Sequence, residues 1–308
     1  MTAQITDSIL MVRPANFGFN EQTAENNAFQ TNDQSLSSAD ISQNAIEEFD
    51  NFVTLLRSNG IHVVVANDTD SPVKPDAIFP NNWITFHDDA SIVTYPMNAP
   101  IRRLERSEAI INQIKQEFSI KNRHALENSE NENIFLEGTG SMIIDRPNQI
   151  VYACIGPRTD EQLLDKFCEL YDYQAVTFKA VDGNGQDIYH TNVLMALGEE
   201  FVVICLDTIT DLDDRNNVIE FLESTEKEII EISLEQMMAF AGNMLQVKNK
   251  EGKTFLVMSE QAFKSLDSDQ IEQIEQYTTP LPVPIYTIEK YGGGSARCMM
   301  AEIFLPHL

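Results

Sequence analysis

The chain has 308 residues, 43% of them hydrophobic, and carries 48 acidic against 21 basic side chains for a formal charge of −27. A polyanion of that kind is repelled by nucleic acid and by anionic membrane, so neither is expected as a partner; the acidity serves solubility and would concentrate a cationic substrate. No apolar run of 18 residues and no basic-then-apolar leader occurs in the sequence, and a soluble, cytoplasmic protein is expected.

The first predicted strand is "SILMVR", residues 8–13. A long polar stretch over residues 16–38 follows, and because loops of such length usually serve function or motion it is a candidate lid. Ile41, Ala45, Ile46, Phe49, Phe52, Val53 and Leu56 then recur at helical spacing. They predict a helix over residues 38–58, ended by Gly60 and followed by the strand "IHVVVAN".

From there a pattern repeats. Small or polar residues run into an apolar strand in "FPNNWITF", "FLEGTGSMII", "YHTNVLMAL", "AGNMLQV" and "SARCMMAEIF". With Asn82, Glu137, Asn192, Asn243 and Cys298 as markers, the separations are 55, 55, 51 and 55 residues. Each interval holds a short strand, a turn, a second strand, an amphipathic helix and a third strand. After Glu137 these are "SMIID", "QIVYACIG", a helix capped by Thr159 that runs to about residue 173, and "QAVTF". Repeats that cannot bury their faces alone pack against their neighbours, and a radial arrangement follows. If each module points its marker at a common axis, Asn82, Glu137, His190, Asn192 and Cys298 share one site.

The four cysteines show neither CxxC nor zinc-ligand spacing, so neither a disulfide framework nor a metal site is signalled. Cys154 and Cys205 lie in strand-like apolar runs and Cys168 in a helical one, and all three read as packed small hydrophobes. Cys298 differs, because "YGGGSARCMM" places three glycines ahead of it. Glycines let a ligand come close to the backbone, although a turn into a buried last strand fits the same residues. A nucleophilic thiol needs a proton-transfer partner and a group that positions that partner. His62 falls in a strand, His87 in a turn, His124 in a polar helix-like stretch and His307 near the end; His190 alone lies at a marker. Taken singly, His190 also reads as a hydrogen-bonded histidine opening a strand, and Glu137 as a carboxylate accepting from the amides of "GTGS". An acid, a base and a thiol at corresponding points of three modules favour a site over packing.

At these residues the chain resembles the guanidine-modifying enzymes, the pentein superfamily of arginine deiminases, dimethylarginine dimethylaminohydrolases and amidinotransferases. The similar segments are "FPNN" before Trp83, "LEG" at residues 136–138, "GPRTD" at 156–160, "HTN" at 190–192 and "GGGSARCM" at 292–299. "MVRPANFGFN" and "PDAIFPNNW" look like the branch called citrulline-utilisation hydrolase type. The resemblance implies one five-bladed α/β propeller domain over residues 1–308, built of ββαβ modules with the site on its axis. It implies that Cys298 attacks the central carbon of a guanidino or ureido group and that His190 protonates the leaving nitrogen and then activates water. Glu137 would pair with His190 or with substrate nitrogens. Arg158 would clamp the α-carboxylate of a small amino-acid substrate, for which its forked donors are suited, unless it pairs with Asp160. Arg297 would gate the site or bind carboxylate, and Asn16 of the N-terminal segment joins the substrate-binding set. No cofactor and no metal are implied, and a homo-oligomer is left open.

The chain departs from the deiminases at two positions, where Asn82 and Asn192 stand in place of aspartates that hold the guanidinium. Hydrogen bonds to charged groups contribute about 1.5–3 kcal/mol against roughly 1 for neutral ones, so the exchange weakens guanidinium binding and leaves Glu137 and the thiolate to oppose that charge. An asparagine also offers an NH2 donor for a carbonyl oxygen. That suits citrulline, or an enzyme that carries arginine through a ureido stage to ornithine. The leading expectation is a cysteine-dependent hydrolase of C–N bonds in an arginine- or citrulline-like amino acid. Its alternatives are an amidinotransferase of the same fold and a non-catalytic propeller that acts as a binding protein.

Overall fold

A computed structural model describes residues 3–33 and 35–308. Its strands form five three-stranded sheets built on one plan. In each, a strand pairs antiparallel with its successor, which runs parallel to a third strand reached through a helix. The second sheet joins Ile84–Phe86, Ser91–Thr94 and Asn122–Ala125, and the third joins Met142–Asp145, Ile150–Cys154 and Gln174–Phe178. The fourth joins Met195–Leu197, Phe201–Ile204 and Glu228–Glu231, and the fifth Leu245–Lys248, Thr254–Ser259 and Thr279–Val283. Middle strands such as Phe201–Ile204 are buried throughout, which is why they read in sequence as unbroken apolar runs rather than alternating ones.

The first sheet is completed from the other end of the chain. Ser8–Arg13 runs parallel to His62–Asn67 on one side and antiparallel to Ala301–Glu302 on the other, with Ile9 opposite Glu302 and Leu10 opposite Ala301. Ile303 N–H donates to the Ser8 carbonyl at 2.8 Å. The ring of five modules is therefore closed by a strand that begins three residues beyond Cys298, and the expected α/β propeller is present.

The helix Ser38–Ser58 has the predicted bounds: Ser37 accepts from the Asp40 N–H as its N-cap, and Ile41, Ala45, Phe49, Phe52, Val53 and Leu56 are buried. Two local expectations are corrected. The helix Glu161–Tyr171 is capped by Asp160, whose carboxylate accepts from the N–H groups of Gln162 and Leu163, because Thr159 is already bridged through its backbone to Gly156. His124 lies in the strand Asn122–Ala125, not in a helix; a largely exposed polar edge strand has no apolar periodicity to announce it. The stretch 16–38 is irregular apart from the short helix Glu21–Ala24, and position 34 lies outside the described residues. Among the described residues no helix is long and apolar enough to cross a membrane.

Ile303 is 2% exposed and packs with Leu10, Val12, Trp83 and Phe86 at the closure. Ile303→Ala is expected to lower stability by about 2–5 kcal/mol. The check is urea unfolding, in which the midpoint should fall while the slope stays unchanged.

Candidate active site

Each sheet's antiparallel opening strand is preceded by a tight turn, and these turns carry the marker residues. The 3-10 turn Pro80–Asn82 leads into Ile84–Phe86, Glu137 stands before the turn Gly138–Ser141, and His190 stands before the turn Thr191–Val193. Asn243 precedes Leu245–Lys248, and Cys298 lies in the turn Ala296–Met299. Five similar turns facing one axis bring together residues more than 200 positions apart.

Glu137 is the centre of the arrangement and is fully buried. Its Oε2 lies 2.8 Å from Nε2 of His190, and its Oε1 accepts the Asn98 N–H at 2.8 Å. The guanidinium groups of Arg158 and Arg102 stand 3.6 and 4.0 Å from Oε2. Burial alone would raise the carboxyl, but Arg158, His190 and Arg102 outweigh it and hold it at about 2. Burial lowers His190 to about 4, with the nearby arginines adding to that effect and Glu137 opposing it. At neutral pH the pair is therefore carboxylate and neutral imidazole. A carboxylate can only accept, so Nε2 carries the proton and Nδ1 keeps its lone pair. The amides of "GTGS" leave the Glu137 carboxylate to these partners.

Gly140 makes this packing possible. A Cβ there would lie 2.4 Å from Nδ2 of Asn82 and 2.7 Å from Cε1 and Nδ1 of His190.

Cys298 is buried, and its backbone N–H donates to the Ser295 carbonyl at 3.0 Å. Two amides face its sulfur: Nδ2 of Asn192 at 3.5 Å and Nδ2 of Asn243 at 3.3 Å. The other three thiols lie in buried, apolar surroundings. Burial pushes Cys154 and Cys168 up to about 12 and Cys205 to about 11.

Cys298, His190, Asn82 and Arg158 line one cavity of about 20 Å³, room for a water molecule and not for an amino acid. Thr23 and Asn27 of the N-terminal segment line it, and residues 23–33 cover it. Asn27 donates to the carbonyls of Gly292 and Gly293, Thr31 N–H to the Lys290 carbonyl at 2.8 Å, and Asp33 pairs with Lys290 at 2.5 Å. The three glycines are therefore not an open approach to the thiol. They are buried, and at Gly293, where φ is +63°, a Cβ would meet Asn27 and Gln30 at 2.6 Å; they form the bed on which the N-terminal segment lies. Arg158 donates to Asn26 Oδ1 and lies over the Tyr189 ring at 4.7 Å, without pairing to Asp160.

Two expected site residues lie elsewhere. Arg297 turns away from the thiol beside it, because Glu302 at 2.6 Å and the Met300 carbonyl at 2.9 Å hold its guanidinium on the far side of the turn. Asn16 donates to the Asp70 carbonyl at 3.2 Å and lines a separate groove against the helix Ser38–Ser58.

Sequence reasoning missed Arg102 and Asp76. Arg102 is held by Glu105 through two 2.9 Å bonds and donates to Asn82 Oδ1 at 2.9 Å. "IRRLE", a basic doublet in an acidic chain, was the available signal. Asp76, in "PDAIFPNN", lines the cavity and accepts from Asn20 on one oxygen. Its other oxygen, together with Asn82 Nδ2 and Asn192 Oδ1, is buried without a hydrogen-bond partner among the described residues. Burial raises Asp76, and it raises Glu105 to about 7 against the pull of Arg102. Asp76, Glu105 and Glu137 thus share the guanidinium groups of Arg102 and Arg158.

A profile of the family described as "N,N dimethylarginine dimethylhydrolase, eukaryotic" matches residues 13–305. No curated protein matches significantly. Among solved structures, the N-terminal domain of an ArgZ variant covalently bound to a reaction intermediate aligns at 17% identity with a TM-score of 0.75, over 97% of this chain and 98% of that one. Apo ArgZ, an arginine dihydrolase from the ornithine-ammonia cycle in Cyanobacteria, aligns at 17% identity and TM-score 0.75, over 98% of this chain and 41% of that longer one. An adduct of a dimethylarginine dimethylaminohydrolase with S-methyl-L-thiocitrulline aligns at 13% identity and TM-score 0.65, over 97% and 99%. At these identities the likeness is one of fold.

Gly140→Ala is expected to displace both Asn82 and His190, cutting turnover by about 100-fold or more with the fold retained; circular dichroism beside a rate assay checks it. A second outcome concerns Glu289, which is buried, accepts from Ser295 Oγ at 2.6 Å and is raised by burial to about 7. Its folded value lies above its unfolded one, so it subtracts stability as pH rises from about 4.5 through 7. Glu289→Gln should raise the melting temperature on the order of 5 °C at pH 8 and by little at pH 5, as read by calorimetry at both pH values.

Proposed function

The chain belongs to the N,N dimethylarginine dimethylhydrolase family, and from that premise we propose that it is a cysteine-dependent hydrolase that carries arginine, through a ureido stage, to ornithine. The observation that carries the reading is that His190, paired to the buried Glu137, lines the same cavity as Cys298, with unpartnered polar atoms on Asp76, Asn82 and Asn192 nearby.

In this reading the thiol proton of Cys298 passes to Nδ1 of His190, and Glu137 stabilises the imidazolium that results. The thiolate attacks the guanidino carbon, and His190 returns the proton to the departing nitrogen, which leaves as ammonia. A covalent thiouronium adduct remains. Neutral His190 then takes a proton from water, whose oxygen joins the same carbon, and collapse restores the thiol and forms the ureido group. In a second round the thiolate attacks the ureido carbon, His190 protonates one departing nitrogen, and water hydrolyses the S-carbamoyl adduct to a carbamic acid, which loses carbon dioxide as the last C–N bond breaks. Arginine and two waters thus become ornithine, two ammonia and carbon dioxide.

The substrate class rests on two features. Asp76 lines the cavity with one carboxylate oxygen unpartnered among the described residues, and an acid so placed favours a cationic group, which supports arginine at entry. The free amide hydrogens of Asn82 and the free amide oxygen of Asn192 match the carbonyl and N–H groups of a ureido intermediate, which supports its retention. Asp76 has one carboxylate oxygen left for an ammonium group. Arg158 is the candidate for the substrate carboxylate, which would take the place that Asn26 Oδ1 occupies with the 16–38 segment closed. That segment must open to admit substrate, as a lid does.

The purified protein should be offered arginine, citrulline, agmatine and methylated arginines in parallel, with ammonia, citrulline and ornithine each quantified. Ornithine and ammonia from arginine without added amine are expected, with loss of at least about 1,000-fold in Cys298→Ser. Citrulline accumulating as the end product, or activity surviving in Cys298→Ser, would overturn the reading.

A further inference from the structure

We propose that Asn243 is a positioning residue for the nucleophile, holding the sulfur of Cys298 in place and supplying it with an amide hydrogen when the thiol is ionised. The inference deepens the reading above and rests on Cys298 being the nucleophile.

Asn243 is 1% exposed and joins two of the turns that build the site. Its Nδ2 donates to the backbone carbonyl of Asn192 at 2.7 Å, and its Oδ1 accepts the backbone N–H of Arg297 at 3.1 Å. These partners leave the amide a single orientation. A carbonyl can only accept and an N–H can only donate, so the NH2 end must face Asn192 and the oxygen must face Arg297. One amide hydrogen is used on Asn192. The other is free for Cys298 Sγ, which lies 3.3 Å from Nδ2.

The same side chain serves both states of the sulfur. The neutral thiol can donate to Oδ1, 3.6 Å away. Once deprotonated, the sulfur can only accept, and it then finds the N–H groups of Asn243 and Asn192 already aimed at it. A hydrogen bond to an ion is stronger than one to its neutral form, so the pair of amides favours thiolate over thiol. Because the amide is clamped to backbone on both sides, little reorganisation accompanies ionisation. Asn243 belongs to the module between those of His190 and Cys298, and the 51-residue and 55-residue spacings bring it to the sulfur just as they bring Asn192.

The test follows the pH dependence of Cys298 alkylation by 2-chloroacetamidine in the full-length, substrate-free protein, resolved by mass spectrometry from Cys154, Cys168 and Cys205. Asn243→Ala should move the labelling midpoint upward by about one pH unit and lower kcat by roughly 10-fold or more, with KM within about twofold. Asn243→Asp, isosteric but with a carboxylate against the sulfur, should move the midpoint further. Asn243→Ser, small and uncharged, gives the same readout as Ala if Asp disturbs folding. A lower melting temperature with an unmoved midpoint in the variants would reduce Asn243 to a strut and overturn the proposal. Labelling needs no amino-acid substrate, so a wild-type protein that labels normally but turns over none of the substrate panel would refute the proposed reaction and leave this inference standing.

Discussion

A carboxylate removed from water survives as an anion only where positive charge and hydrogen-bond donors replace the solvent it has lost. Glu137 is such a group, and the rest of the site is arranged around it. Arg158 and Arg102 supply the charge, Asn98 donates a backbone N–H, and His190 donates from its ring. Asn98 and Arg102 come from the second module, Arg158 from the module of Glu137 itself and His190 from the fourth, so the ion is fully compensated only when three modules have assembled. The tautomer of His190, with its lone pair on Nδ1, follows from the same fact. Arg102 is in turn held by Glu105 and Asp76.

The architecture supplies the convergence. A sheet of three short strands cannot bury both faces alone, and five of them packed side by side leave their opening turns on a shared axis. Contacts there are too close for ordinary side chains, and this is where small residues appear. Gly140 leaves room for an amide and an imidazole, and Gly293 lets the N-terminal segment lie against the turn leading to Cys298. What reads in sequence as looseness ahead of Cys298 is in space close packing.

The fold was legible because it is periodic. The marker spacing, the apolar runs of the middle strands and the helix Ser38–Ser58 all carry signals that survive without tertiary information. The meeting of Glu137, His190, Asn82, Asn192 and Cys298 was legible for the same reason, since four of them mark the same point of successive repeats and His190 stands two residues before Asn192. Residues outside the repeat were harder to read. Arg102 and Asp76 reach the pocket from stretches flanking the marker turn, and the direction of a long side chain from such a stretch depends on neighbours that no local pattern reveals. Arg297 shows the converse case. Adjacency to Cys298 in the chain suggested a shared pocket, but successive residues of a tight turn point to different sides, and Glu302 was there to hold it.

Closure of the ring by Ala301–Glu302 bears on how the protein is made. Of the groups that meet at the axis, Cys298 is the last to leave the ribosome, after Asn82, Glu137, His190, Asn192 and Asn243. A nascent polypeptide therefore cannot bring these groups together until its last module has emerged, and the turn that carries Cys298 to the axis leads straight into the strand that docks onto the first sheet.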